Sequence, residues 1–224
     1  MQADVLTIAA AGGHALSVLT GYTVQDTHGV HSLRAIAASE VREQARALLA
    51  EMRVAAVKLG VLASAENAEA IAELLPDAPL VLDPVLASGR GDALASSQVL
   101  NAMKKHLLPR CTVTTPNTLE ARALGGVDAI LATGCRYVLV TGTHDPSEDV
   151  VNVLHDARGK VRDDRWPRLP ASYHGSGCTL ASALAAGLAR GLDVPTAARE
   201  AQAFTWNSLK NGFRPGAGQH LPKR

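Results

Sequence analysis

The chain has 224 residues, 47% of them hydrophobic and 19% charged, which suits one sizeable core and excludes a disordered chain. With 22 basic against 21 acidic side chains, no general field draws it to nucleic acid or to an anionic membrane.

Apolar runs of strand length recur at residues 15–23, 54–62, 80–86, 111–117 and 137–143. Their near-continuous apolar character predicts strands buried on both faces, as in a parallel sheet. Helical patterns at 39–52, 64–75 and 96–108 lie between them, each opening on a serine suited to an N-cap. The first two also carry early glutamates, which favour the positive end of a helix dipole. Residues 121–134 hold only a clipped helical pattern. Residues 150–169 alternate around Ala157-Arg158-Gly159, which predicts a hairpin, and two helices at about 177–190 and 195–213 close the chain. Strand–helix alternation without repeats or linkers predicts a single α/β domain over 1–224.

Cys111, Cys135 and Cys178 are too few and too widely spaced for a disulfide framework or a CxxC zinc site. The chain opens on no secretory leader and holds no apolar run of membrane-spanning length, so a cytoplasmic protein is expected.

Ligands of open α/β sheets bind beyond the carboxyl ends of the strands. Asp83 falls there, before a proline and a glycine-containing loop. Asn117 and Glu120 follow Pro116, and Thr141, Gly142 and Thr143 end the fifth run, with His144 next. Carboxylates so placed suit Mg²⁺, a hard cation that keeps some of its waters. Each residue also has an ordinary role: Asp83 as a turn residue, Asn117 and Glu120 as a capping box. The most specific local signal is HGSGC, His174 to Cys178. A Gly-Ser-Gly turn entering a helix offers successive N–H groups to an anion. It is neither a Walker A loop nor a nucleophile elbow. Cys178 itself stays open between nucleophile, metal ligand, packed thiol and proton-handling group.

Taken together, HGSGCTLASALAAGLARG, TPNTLEA, KLGVL, LDPV and TVQDTHGV resemble the hydroxymethylpyrimidine/phosphomethylpyrimidine kinases of thiamine biosynthesis over nearly the whole chain. The resemblance implies a three-layer ribokinase-like α/β fold with a mostly parallel central sheet. It also implies ATP and Mg²⁺ as cofactors, a small pyrimidine alcohol as substrate, no nucleic-acid or membrane partner, and a possible homodimer. It places Cys178 beside the substrate hydroxymethyl group and Gly175, Ser176 and Gly177 in an anion hole. It sets Gln25, Asp4, Val61 and Val85 against the substrate, Asn117, Thr141 and Gly142 on the nucleotide side, and Asp83 and Glu120 at the metal. A thiol in the first turn of a helix is then expected to have a lowered pKa. Three departures accompany the resemblance. A strand and a segment of the GSDxSGGAG type usually precede QAD, where here Met1 does: either the true start lies upstream, or an open sheet edge with reduced stability and activity is expected. The stretch from Glu120 to Gly134 is short. Thr141 stands where many members carry lysine. A pyridoxal-type vitamin kinase and a ligand-binding relative without turnover are the alternatives.

Overall fold

The computed structural model describes residues 1–88 and 91–224; Gly89 and Arg90, in the glycine-containing loop expected after Asp83, lie outside the described residues. The chain opens on a helix that composition did not suggest, α1 (Gln2–Ala10). Most of the run at 15–23 is irregular, and its end forms β1 (Gly21–Gln25), which pairs only with β2 (Val30–Ala35) in an antiparallel ribbon outside the main sheet. Tyr22 and Val24 are 54% and 51% exposed, so this run is not the doubly buried strand expected of it. Buried Asn67 holds the base of the ribbon, its Nδ2 donating to the carbonyls of Thr20, Ile36 and Leu62 at 2.9 to 3.2 Å.

The main sheet follows from there. After α2 (Ala38–Glu51) come β3 (Val57–Leu59), α3 (Ala65–Leu74), β4 (Leu80–Leu82) and α4 (Ser97–Ala102). β5 (Val113–Thr114), α5 (Thr118–Ala123), α6 (Val127–Ala132) and β6 (Tyr137–Thr141) continue the alternation. β7 (Asp149–Asp156) and β8 (Gly159–Pro167) form the expected hairpin, before α7 (Ser176–Ala189) and α8 (Val194–Lys210). The six strands lie in chain order from β3 to β8, parallel as far as β6 and antiparallel beyond it. The hairpin turns at Gly159, whose φ of +118° suits a residue without a Cβ.

Of the three serines expected as caps, Ser64 and Ser96 accept the N–H groups of Asn67 and Val99. Ser39 does not cap, because β2 ends at Ala35 and the chain turns into α2 with Ala37 at the N-cap. The helix expected over 96–108 is α-helical only to Ala102. It loosens into a π turn at Met103–Leu107 and tightens into a 3₁₀ turn at Leu108–Arg110, around Pro109, which has no N–H to give.

Alternation along the short strands sorts their side chains into two cores. Leu80 and Leu82 pack with Ala68 of α3, Val99 of α4, Met103, Leu107 and Ile130. Val81, Val113, Leu139 and Leu154 pack on the other face against Leu180, Ala181 and Leu184 of α7 and Ala197, Ala198 and Ala201 of α8. The small residues bring α7 and α8 close: a Cβ on Gly187 would lie 3.0 Å from that of Ala197. The sheet is thus sandwiched between helices, as the resemblance implied. Among the described residues no helix is long and apolar enough to cross a membrane.

Candidate active site

A cleft lies over the carboxyl ends of β3 to β6, between the ribbon and the start of α7, as part of an open groove of about 1900 Å³ that continues along α1, α2 and β3. Asp4, Gln25, Val61, Val85, Asp83, Asn117, Glu120 and Thr141 line it, as do Gly175, Ser176, Gly177 and Cys178. Gly142 does not. It is buried against β7, donating to Asn152 Oδ1 at 3.2 Å, and a side chain there would overlap the Val151 carbonyl. Gly142 therefore serves the packing of the β6 end rather than the cleft wall.

The glycine-rich turn before α7 has the geometry its sequence predicts. Gly175 is the N-cap of α7 with φ +84°, a left-handed conformation that favours glycine. The first N–H groups of a helix have no intrahelical acceptor, so those of Ser176, Gly177 and Cys178 are available to an anion. A Cβ on Gly177 would lie 3.8 Å from both carboxylate oxygens of Asp83, so β4 and the first turn of α7 meet there.

That meeting encloses a cluster of charges. Lys58, on β3, is buried with its side chain only 8% exposed. Its Nζ lies 2.7 Å from Asp4 Oδ1 and 3.9 Å from Asp83 Oδ2. Asp4 also accepts from Ser182 Oγ at 2.8 Å and lies 2.9 Å from the Met1 amino group. Burial works against the Lys58 ammonium, yet Cys178, Asp83 and Asp4 together outweigh it and hold its pKa above the usual lysine value. Burial likewise opposes the Asp4 carboxylate, but Lys58 and the amino group bring it down to about 2. Asp83, buried against the first turn of α7, is pushed up chiefly by burial, with Asp4 adding to it and Lys58 opposing.

Cys178 departs from expectation. Burial pushes its thiol up, and repulsion from Asp83 and Asp4 adds to that against the pull of Lys58. The helix end lowers a thiol only when solvent or a cation dominates its surroundings, and here enclosure decides.

Asn117 caps α5, accepting from Leu119 and Glu120 N–H at 2.9 Å, while Glu120 Oε2 accepts from Asn117 N at 2.9 Å. Glu120 Oε1 accepts from Leu86 N at 3.3 Å, which ties α5 to the loop after β4. Burial, reinforced by Asp83, raises Glu120 to about 7. Among the described residues no group of three or more His, Cys, Asp or Glu is arranged to hold a metal ion. Asp83 Oδ2 and Thr115 Oγ1, both buried, have no hydrogen-bond partner among the described residues.

The family model for phosphomethylpyrimidine kinase matches residues 1–223. The chain belongs to the phosphomethylpyrimidine kinase family. It is 41% identical to the hydroxymethylpyrimidine/phosphomethylpyrimidine kinase of Streptomyces coelicolor, over 97% of this chain and 86% of that one. It is 36% identical to the thiamine biosynthetic bifunctional enzyme TH1 of Arabidopsis thaliana, covering 93% of this chain and 43% of that protein. Among solved structures, the pyridoxal kinase of Staphylococcus aureus in complex with AMP-PCP and pyridoxal matches with a TM-score of 0.88 and 25% identity, over 100% of this chain and 87% of that one. The phosphomethylpyrimidine kinase of Clostridium difficile matches with a TM-score of 0.75 and 29% identity, over 91% and 90%.

In this phosphomethylpyrimidine kinase family member, two residues that sequence reasoning passed over shape the cleft. Lys58 stands inside an apolar run, and a charge in such a run is itself the signal that it has partners. Arg168 follows β8 and collects the loop after β6, donating to the carbonyls of Thr143, Asp145 and Ser147 at 2.7 to 2.8 Å. Nothing local marked it, because its acceptors lie more than 20 residues away.

Proposed function

We propose that this chain transfers the γ-phosphoryl group of ATP to the hydroxymethyl oxygen of 4-amino-5-hydroxymethyl-2-methylpyrimidine, and a second phosphoryl group to the resulting monophosphate, in thiamine biosynthesis. The observation that carries the reading is the first turn of α7, with its N–H groups, packed on the Cys178–Asp83–Lys58 cluster. Phosphoryl transfer asks the protein for in-line positioning and stabilisation of spreading negative charge, which such a turn supplies. Gln25, Asp4, Val61 and Val85 would hold the pyrimidine, and Asn117 and Thr141 the nucleotide. As the hydroxymethyl oxygen bonds to phosphorus and the bond to the ADP oxygen breaks, the hydroxyl proton passes to the Cys178–Asp83 pair. Lys58 keeps that pair within reach of ionisation.

The residues fit Mg²⁺: among the described residues a buried carboxylate oxygen on Asp83 accepts no hydrogen bond, and Glu120 is held neutral-prone by burial and by the charge of Asp83. Asp83 and Glu120 would hold the ion through water and phosphate oxygens, where it supplies charge neutralisation.

The test is turnover of purified protein with ATP, Mg²⁺ and the pyrimidine alcohol. Phosphorylated pyrimidine is the expected product, and Cys178→Ala should slow transfer by about 10²-fold or more while ATP affinity stays nearly unchanged. A second reading, phosphorylation of pyridoxal, is favoured by the likeness to the S. aureus pyridoxal kinase. Faster turnover of pyridoxal than of the pyrimidine alcohol would select it, and binding without turnover of either would mark a ligand-binding relative.

A further inference from the structure

Beyond α8 the chain turns back and runs along the cleft. At the ribbon tip, Gly218 N donates to Thr27 Oγ1 at 3.1 Å and Gln219 N to the Thr27 carbonyl at 2.8 Å. A side chain on Gly218 would overlap that carbonyl, so the approach requires glycine. Phe213 and Leu221 exchange backbone hydrogen bonds at 3.0 and 2.8 Å, and His220 N donates to Ser172 O at 2.9 Å. His174 N in turn donates to His220 O at 2.9 Å, and Lys223 N to Ser208 O at 2.9 Å. The tail is therefore laced to the ribbon, to α8 and to the segment that enters α7.

This lacing sets Arg224 on the anion-binding turn. Its Nε donates to Thr179 Oγ1 at 2.9 Å, and its Nη2 lies 3.4 Å from the Gly175 carbonyl. A Cβ on Gly175 would come 2.8 Å from Nη2, so glycine makes room for the guanidinium as well as for the left-handed turn. Arg224 is half-buried and lines the cleft. Among the described residues it forms no salt bridge, although Cys178 and Asp4 both exert a pull on it. A guanidinium has five N–H donors, more than these contacts to α7 use. A half-buried cation without a carboxylate partner, set against the positive end of a helix, is uncompensated until an anion arrives.

We propose that Arg224 is a phosphate-contacting residue of the transfer site, adding a forked positive charge to the N–H groups of Ser176, Gly177 and Cys178. The proposal rests on the reading of that turn as the anion hole. It adds a cation to a cleft whose Thr141 brings none.

The experiment compares wild type, Arg224→Gln and Arg224→Lys in steady-state kinetics with ATP and the pyrimidine alcohol, and in calorimetric binding of inorganic phosphate. In Arg224→Gln, kcat should fall by about 100-fold, the usual cost of one lost oxyanion donor, with KM for the neutral alcohol unchanged. Arg224→Lys should recover part of that loss, and phosphate should bind about 10-fold more weakly to the glutamine variant. A kcat within twofold of wild type, with only the urea midpoint lowered, would overturn the proposal and leave Arg224 as a clamp for the tail. Active wild type with an equally active Arg224→Gln rejects the role of Arg224 but not the kinase reading. Arg224-dependent phosphate binding without phosphorylation of the alcohol does the reverse.

Discussion

Replacing Lys58 with methionine tests the charge cluster on which the site is built. At an effective dielectric constant of about 20, the ammonium attracts Asp4 at 2.7 Å by about 6 kcal/mol and Asp83 at 3.9 Å by about 4 kcal/mol. Much of this offsets desolvation, which costs several kcal/mol per buried ion, so the intact cluster contributes little net stability. Removing one partner is different, because it leaves two carboxylates beside each other with the compensation gone. Such truncations cost about 3–5 kcal/mol, and the remaining contacts of Asp4 with Ser182 and the Met1 amino group place this one near 3 kcal/mol. The loss should depend on pH. In the wild type Asp4 has its pKa at about 2, below its ordinary value, so its stabilisation is present above that ordinary value and fades as pH falls towards 2. In Lys58→Met, burial loses its main opponent and both carboxyls rise, Asp4 less far because the Met1 amino group still lowers it. The variant therefore gains stability on acidification from pH 7 to pH 4 relative to wild type. Urea unfolding followed by the fluorescence of Trp166 and Trp206 measures both values. A difference below about 1 kcal/mol, equal at the two pH values, would refute the coupling of Lys58 to these carboxylates.

Three further outcomes follow from other contacts. Asn67→Ala should cost about 2–3 kcal/mol by stripping donors from the carbonyls of Thr20, Ile36 and Leu62, and should speed amide exchange in the ribbon more than in β4. Glu120, raised to about 7 chiefly by burial, stabilises the fold while protonated, and that contribution is lost as pH rises from its unfolded value near 4.5 through 7. Without divalent cations the wild type should lose about 1–2 kcal/mol across this window after allowance for solvent screening, and Glu120→Gln should flatten the profile, as thermal melts would show. Arg168→Gln, which frees the carbonyls of Thr143, Asp145 and Ser147, should raise KM for ATP by about 10-fold and leave KM for the alcohol unchanged.

What was legible in the sequence is what neighbours in sequence decide. Asn117 and Glu120 make their capping box three residues apart, and Gly175 to Cys178 form the turn and the helix end in one stretch. Their geometry needs no knowledge of the rest of the fold. The alternation of strands and helices was legible for the same reason. The failures share the opposite cause. Residues 15–23 are apolar enough for a core strand, but whether a run is buried on both faces depends on what the fold sets against it. The Cys178 thiol looked acidic because the helix end is local, whereas the carboxylates and the burial that raise it come from β4 and α1. Lys58 meets Asp4 across 54 residues, and Asp4 meets Ser182 across 178. No local pattern predicts those partners. One inference was nonetheless open: a lysine inside VAAVKLGVL cannot be buried alone, so the run that holds it must end beside carboxylates from other elements. The carboxyl ends of the strands are where such residues gather. An unexplained charge in an apolar strand run therefore points to the candidate site as directly as the glycine-rich turn does.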